Sequence, residues 1–132
     1  MKSISLMTFV AGVAFTAMTG VALADGDAAA GEKTFAKCKA CHQIGEGAKN
    51  AIAPELNGIN GRKAGSADGY NYSDAMKGSG ITWDAASFKE FIKNPKAKVP
   101  GTKMVFQGLA ADTDGDNVWA YISGFGADGK KK

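Results

Sequence analysis

Scarce residue types set the first limits on what this chain of 132 residues can do. It contains one histidine, His42, and two cysteines, Cys38 and Cys41. A structural zinc site normally takes four ligands, and the sequence offers no second cysteine pair or second histidine to complete one. Alternating apolar and polar residues, which predict β-strands, are nearly absent, and no internal repeat is visible. These absences argue against a zinc module, a β-sheet protein and a repeat architecture.

The N-terminal segment has the three parts of a secretory signal peptide. Lys2 gives it a positive start, residues 4–17 are mostly apolar, and Ala22-Leu23-Ala24 is a small-x-small cleavage site. A retained membrane anchor is the alternative, but the apolar run is short for a bilayer span, which needs about 20 residues. We therefore predict a signal peptide over residues 1–24, cleaved after Ala24, and a soluble domain over residues 25–132 without membrane insertion. In a bacterium this places the protein in the periplasm.

Charge is distributed unevenly along the predicted mature domain. Without Lys2 it has 15 basic and 13 acidic residues, but residues 33–103 contain twelve basic and six acidic residues, whereas residues 104–128 contain four acidic and no basic ones. Such asymmetry gives a dipole that can orient the protein towards an acidic partner. Nucleic-acid binding is not expected, because the basic residues are scattered and no nucleic-acid motif is present.

Helical patterns account for most of the regular structure that the sequence predicts. One helix begins near Asp27, a good N-cap, and leads into Cys38; a second follows Trp83 and ends at Asn94, because Pro95 disfavours helical geometry in the residue before it. A third is predicted from about 116 to 123, and a helical turn over 73–77. The tail, residues 129–132, is expected to be frayed.

The fold class is therefore mostly α, with long loops rich in glycine and asparagine. A mature domain of 108 residues with three or four short helices buries little apolar side chain by itself. Long irregular loops in so small a domain usually need something to surround. A large apolar cofactor would provide that surface.

The segment Cys38-Lys39-Ala40-Cys41-His42 fits the haem attachment pattern Cys-x-x-Cys-His. Two thiols on one helical turn can form thioether bonds to one edge of a porphyrin, and the adjacent histidine can then ligate the iron. A redox dithiol or a disulfide is the weaker alternative, because a thioredoxin-like pair calls for a βαβ context that is missing. We expect one covalently bound haem.

The second axial ligand is predicted to be a methionine, because no other histidine exists and an electron carrier commonly uses this pair. Three of the five methionines fall within residues 1–24, which leaves Met76 and Met104. Met76 lies on the helical turn predicted over 73–77 and is interpreted as a core gap-filler. Met104 lies in an extended loop that can present its thioether to the ring, and it is favoured as the ligand.

The order of motifs along nearly the whole mature chain resembles that of class I cytochromes c, nearest to small bacterial cytochromes c2 and mitochondrial cytochrome c. The motifs, in order, are Gly31-x-x-x-Phe35, Cys38-x-x-Cys41-His42, Pro54, Gly61-Arg62-Lys63-x-Gly65, Gly69-Tyr70-x-Tyr72, Gly80-Ile81-Thr82-Trp83, Asn94-Pro95 and Pro100-Gly101-Thr102-Lys103-Met104-x-Phe106. The resemblance implies the cytochrome c fold, with three to five short helices and long loops around one haem c.

Several roles follow from the resemblance alone. It implies that the carbonyl of Pro54 accepts a hydrogen bond from the free ring nitrogen of His42, and that haem propionates are bound by three side chains: Arg62, Tyr72 and Trp83. Thr102 would brace the methionine loop, Phe106 would close the haem edge, and Gly31 and Phe35 would form the face of the first helix that packs on the last.

Two residues depart from the family pattern. Phe91 stands where many members carry a tyrosine whose hydroxyl contacts the methionine sulfur, so that hydrogen bond is absent here. Met76 replaces a polar residue and would make the haem surroundings more apolar. Both changes affect the tuning of the redox potential.

The expected function is one-electron transfer by a monomeric carrier that is not an enzyme. A peroxidase-like haem protein would need a distal acid–base group, typically a histidine, and His42 is already assigned to the iron. The expected partners are a bc1-type complex and a terminal oxidase or photosynthetic reaction centre, with acidic docking surfaces. Eight lysines are candidates for a ring around the haem edge: Lys37, Lys39, Lys49, Lys63, Lys77, Lys96, Lys98 and Lys103.

Overall fold

The computed structural model describes Gly12, Ala14 and residues 26–132. The predicted cleavage site, and all of the predicted signal peptide except those two residues, lie outside the described residues. Five helices occur in the described part of the chain: α1 (Ala28–Phe35), α2 (Asp74–Lys77), α3 (Ala85–Lys93), α4 (Pro95–Lys98) and α5 (Asp112–Ile122). Its only β-type pairings are two isolated bridges, Lys63 with Thr82 and Phe125 with Lys131. The prediction of a mostly helical fold is confirmed.

Side-chain caps fix the starts of the two helices that the sequence predicts best. The carboxylate of Asp27 accepts hydrogen bonds from the backbone amides of Ala29 and Ala30 at the start of α1. The carboxylate of Asp84 accepts one from the amide of Ser87, whose hydroxyl accepts one from the amide of Asp84. These bonds satisfy amides that have no partner within the helix.

Two features of the helices differ from the prediction. Helix α5 begins at Asp112, four residues before the predicted start, and contains the buried Gly115. A Cβ atom at Gly115 would lie only 3.3 Å from Cγ2 of Ile92, so glycine lets α3 approach α5 closely here. Helix α4 was not predicted; Asn94 caps the amide of Ala97 there, while Pro95 occupies the first turn.

The core lies where α1 and α3 pack on α5, and α1 and α5 form the most extensive helix pair of the described residues. Phe35, Val118 and Ile122 are each 1% exposed. Gly31 of α1 meets the backbone of Asn117 so closely that a Cβ atom there would lie 1.8 Å from its carbonyl oxygen. The predicted packing of the first helix on the last is therefore present, with Gly31 at the crossing.

The C-terminal tail is ordered, so the prediction of fraying was wrong. The backbone amide of Lys132 donates to the carbonyl of Gly124 at 2.8 Å, and that of Gly126 donates to the carbonyl of Lys130 at 2.9 Å. Gly129 is buried against the backbone of Gly45. Backbone hydrogen bonds, which residue type does not reveal, hold the tail against residues 124–126, and Gly129 packs on the loop that follows the haem motif.

Within residues 26–132, no helix has both the length and the apolar character needed to cross a lipid bilayer.

Candidate haem site

All predicted site residues line one cavity of about 250 Å³. They are Cys38, Cys41, His42, Pro54, Arg62, Tyr72, Trp83 and Met104. A smaller cavity of about 70 Å³ shares five lining residues with it: Cys38, His42, Trp83, Phe91 and Met104. The fold thus brings together residues from segments that are far apart in sequence.

The two thiols follow α1 directly on continued helical turns. The amide of Cys38 donates to the carbonyl of Phe35 at 2.8 Å, and the amides of Cys41 and His42 donate to the carbonyl of Cys38 at 3.1 Å and 2.9 Å. Neither thiol is engaged in a disulfide, which removes the disulfide alternative. Burial raises the pKa of the Cys38 thiol, the nearby Cys41 raises it further, and the charge of Lys37 opposes both effects.

The imidazole of His42 is oriented by a hydrogen bond from its Nδ1 to the carbonyl oxygen of Pro54, at 2.8 Å. Because a carbonyl can only accept, Nδ1 carries the proton and Nε2 keeps its lone pair. Burial lowers the pKa of His42, the bond to Pro54 opposes this, and the charge of Arg62 adds a smaller decrease. The bond to Pro54 therefore fixes the orientation of the ring and leaves Nε2 as the nitrogen that a metal could bind.

The loop that carries Met104 is braced by its own residues and by a distant one. The hydroxyl of Thr102 accepts a hydrogen bond from the amide of Met104 at 3.2 Å, and the ammonium of Lys103 donates to the carbonyl of Asn71 at 2.9 Å. Met104 lines the same two cavities as His42. Met76, buried on α2, lines the larger cavity only.

Arg62 carries the one buried side-chain nitrogen or oxygen without a hydrogen-bond partner in the described part of the chain, its Nε. Its Nη1 donates to the Oε1 of Glu55 and the carbonyl of Asn57, both at 3.0 Å, and its Nη2 donates to the carbonyl of Glu55 at 2.8 Å. A buried N–H without an acceptor is costly. The cavity therefore presents a cationic donor where an anionic group of a ligand could bind.

Tyr72 adds a second polar group to this wall. Its hydroxyl accepts a hydrogen bond from the amide of Ala67 at 3.0 Å, which leaves its own proton available to a further acceptor. Burial raises the pKa of Tyr72; among the smaller effects, the bond to Ala67 and the charge of Arg62 lower it, and the charge of Glu55 raises it.

Comparison with known proteins identifies the family. The family model for cytochrome c matches residues 28–125. The chain belongs to the cytochrome c family. It is 70% identical over 132 residues to cytochrome c-554 of Methylosinus trichosporium, which covers the whole of both chains. It is also 61% identical over 106 residues to cytochrome c2 of Rhodoblastus acidophilus, covering 80% of this chain and 99% of the relative.

A solved structure agrees with this assignment. Cytochrome cH from Methylobacterium extorquens superposes with a TM-score of 0.69 at 54% identity, over 74% of this chain and 97% of the other. The predicted cytochrome c fold is confirmed. As a member of this family, the chain is an electron carrier and not an enzyme, and Cys38 and Cys41 attach one covalent haem c.

The residues present fit a haem c in this cavity. Two unbridged thiols stand beside an imidazole with a free Nε2, and apolar side chains such as Trp83 and Phe91 form much of the wall. The unpartnered Nε of Arg62 suits a propionate carboxylate, because charge-assisted hydrogen bonds are among the strongest available.

Two features of the site were not predicted from the sequence. Glu55 and Asn57 hold Arg62 by contacts that no spacing rule indicates, although an acid seven residues before an arginine in a turn-rich loop is a weak hint. Two exposed apolar side chains, Ile52 and Val105, also line the cavity and are 75% and 90% exposed.

Proposed function

We propose that this cytochrome c is a one-electron carrier whose haem iron is ligated by His42 and Met104. The single observation that carries the proposal is that these two side chains line both adjoining cavities beside the attachment cysteines. The haem supplies a one-electron ferrous–ferric couple, and ligation by a histidine and a methionine favours a high potential.

The chain's own residues keep the iron site rigid. Pro54 fixes the ring of His42 through the 2.8 Å hydrogen bond to Nδ1. Thr102 fixes the backbone of Met104, and the buried Trp83 and Phe91 exclude water from the cavity wall. Fixed ligands and a dry wall keep the reorganisation that accompanies electron transfer small, because neither oxidation state requires a ligand to move.

Met76 is the competing axial ligand. It is 9% exposed, and its α2 backbone is capped by Ser73, whose hydroxyl accepts from the amide of Met76 at 3.1 Å. It lines the larger cavity but not the smaller one that His42 and Met104 share. A packing role for Met76 fits this position better than iron ligation.

Replacement of each methionine by an isosteric leucine separates the two candidates. In Met104→Leu we expect loss of the weak near-infrared band of methionine-ligated ferric haem and gain of carbon monoxide binding by the ferrous protein. Met76→Leu serves as the matched control and should keep the band. Loss of the band in Met76→Leu but not in Met104→Leu would transfer the ligand role to Met76.

The proposed docking surface surrounds the mouth of the cavity. Three lysines of the predicted ring, Lys37, Lys63 and Lys103, line the cavity, and all three are exposed. Two other members, Lys77 and Lys98, form ion pairs with Asp74 and Glu90. The contact surface therefore combines cationic groups with the exposed apolar side chains described above.

This surface supports proposed partners with acidic docking sites. They are a bc1-type complex as donor and a terminal oxidase or photosynthetic reaction centre as acceptor, met transiently by a monomeric carrier. Complementary charge speeds encounter and is screened by salt. We expect electron-transfer rates with an acidic partner to fall as ionic strength rises.

Paired charge variants test the surface. Lys37→Gln combined with Lys63→Gln should slow the bimolecular rate severalfold at low salt. The control, Lys33→Gln with Lys130→Gln, removes the same charge at exposed positions that do not line the cavity and should change the rate less. Equal slowing in both pairs would show that net charge, not this surface, directs encounter.

Export to the periplasm completes the proposal, with cleavage after Ala24. The 106 matched residues span 99% of the Rhodoblastus acidophilus relative, a length close to the 108 residues of the predicted mature domain, which supports it. Mass spectrometry of the holoprotein isolated from the periplasm tests it, with Asp25 expected as the first residue.

A further inference from the structure

The loop of residues 54–57 accepts hydrogen bonds from both terminal nitrogens of Arg62. Both terminal nitrogens of the guanidinium donate to this loop, at 2.8 Å to the carbonyl of Glu55 and at 3.0 Å to its carboxylate and to the carbonyl of Asn57. The second carboxylate oxygen of Glu55 accepts from the amide of Asn57 at 2.6 Å. The carboxylate is therefore fixed from two sides rather than mobile at the surface.

Glu55 also opposes the charge of Arg62 at the cavity. The pair is 3.0 Å apart, with side chains only 16% and 25% exposed, so water screens it poorly. At the cavity residue Tyr72, whose pKa burial raises, the two charges act in opposite directions: Arg62 lowers the pKa and Glu55 raises it. Glu55 thus reduces the positive field that Arg62 directs into the cavity.

We infer that Glu55 is a positioning residue that shares the Arg62 guanidinium with the haem propionate site and thereby lowers the redox potential. The inference rests on the proposed function, because it requires the haem in this cavity with Arg62 turned towards it. A positive guanidinium disfavours the ferric state, which has one more positive charge than the ferrous state. By accepting from Nη1 at 3.0 Å, the Glu55 carboxylate holds the guanidinium against the loop of residues 54–57, and this placement makes the ferric state easier to reach.

The direct test is the midpoint potential of the Glu55→Gln holoprotein. Glutamine retains the shape of the side chain but removes the charge, which weakens the hold on Nη1 of Arg62 while the two backbone carbonyl acceptors stay in place. We expect the midpoint potential to rise by about 28 mV, which for a one-electron couple corresponds to a threefold higher ratio of ferrous to ferric protein at a fixed solution potential. Some loss of thermal stability is expected too, because one amide group cannot accept from both Arg62 and Asn57.

Glu46→Gln is the matched control. Glu46 is an exposed acid in the same region of sequence that does not line the cavity, so the substitution removes the same charge without touching Arg62. In this variant the ratio of ferrous to ferric protein at a fixed solution potential should change by much less than threefold. A shift in Glu55→Gln no larger than that in Glu46→Gln would overturn the inference.

A double-mutant cycle shows whether Glu55 acts through Arg62. Arg62→Met keeps an apolar stem in place but removes the guanidinium. In that background Glu55→Gln should shift the equilibrium less than half as much, on a logarithmic scale, as in the wild type. Equal shifts in the two backgrounds would show that Glu55 acts by its own field and would also overturn the inference.

Spectra separate a failure of the inference from a failure of the proposed function. Wild-type protein without the near-infrared band of methionine ligation would refute the proposed ligand set, whatever the potential of Glu55→Gln. A normal band in every variant, together with an unmoved potential, would refute only the role of Glu55.

Discussion

The crossing of α1 and α5 makes Gly31→Ala the most informative single substitution for the fold. A Cβ atom at Gly31 would lie 1.8 Å from the carbonyl oxygen of Asn117 and 3.0 Å from Cβ of Tyr121. Ordinary contact begins at 3.4 Å, so the carbonyl is 1.6 Å too close. The obstructing atom belongs to a helix backbone and cannot rotate away, so the two helices would have to separate.

The expected magnitude follows from two opposing effects. Alanine in place of glycine in a helix interior contributes about 1 kcal/mol of favourable propensity, whereas overpacking a close contact costs about 1–3 kcal/mol and sometimes more. With a backbone as the obstacle, we expect the cost to lie at or above the upper end, for a net destabilisation of about 2 kcal/mol or more. In a domain of this size that corresponds to a fall in Tm of about 8–16 °C.

Gly115→Ala provides the control on the partner helix. A Cβ atom there would lie 3.3 Å from Cγ2 of Ile92 and 3.8 Å from Cγ of Lys89, both side-chain atoms that can adjust slightly. We expect Gly115→Ala to be neutral or to stabilise by up to about 1 kcal/mol. Thermal unfolding of both holoproteins, followed by circular dichroism, gives the comparison. A Tm for Gly31→Ala equal to or above that of the wild type would refute the steric argument.

Three further predictions concern capping, surface charge and the cofactor. The Ser87 hydrogen bonds hold the pKa of Asp84 below its ordinary value of 3.8. The stabilisation by the Asp84 carboxylate should therefore be complete above that ordinary pKa and should be lost as pH falls through the lower pKa of the folded state. A Tm deficit of Asp84→Asn that is as large at pH 2 as at about pH 7 would contradict this. The pair of Lys89 and Asp116, at 3.1 Å and with side chains 37% and 31% exposed, should show a coupling of about 0.2–1 kcal/mol in an alanine double-mutant cycle, smaller in 1 M salt. Replacing both Cys38 and Cys41 by alanine should abolish cooperative unfolding, because the cavity walls would lose the group they pack on; a wild-type transition by circular dichroism would count against this.

The local features of the fold could be predicted because single residues determine them. Asp27 caps α1 and Pro95 ends α3, and each acts on its immediate neighbours in sequence. The early start of α5 was missed because Gly115, a poor helix former, lies within the first turns of the helix. Asn94 ends one helix and caps the next, and a rule that stops a helix at proline does not show the second role.

In the candidate site, too, features set by neighbouring residues could be predicted, and features set by the folding of the chain could not. The haem attachment motif is contiguous in sequence, and elimination was enough to propose His42 and Met104 as the axial ligands. The hold of Glu55 on Arg62 could not, because it depends on how a loop folds back on itself over seven residues. The ordered tail was missed for a similar reason, since only backbone groups form its hydrogen bonds to Gly124 and Gly126.

The pairing of α1 with α5 also has a consequence for the order of folding and haem attachment. Residues 28–35 find their main partner in residues 112–122, the last helix of the described residues. Contacts of such long sequence separation form late and slowly. Before α5 docks on α1, Cys38 is more accessible than in the folded structure, where it is half-buried. Docking of the last helix therefore limits the interval in which haem can be joined to the chain.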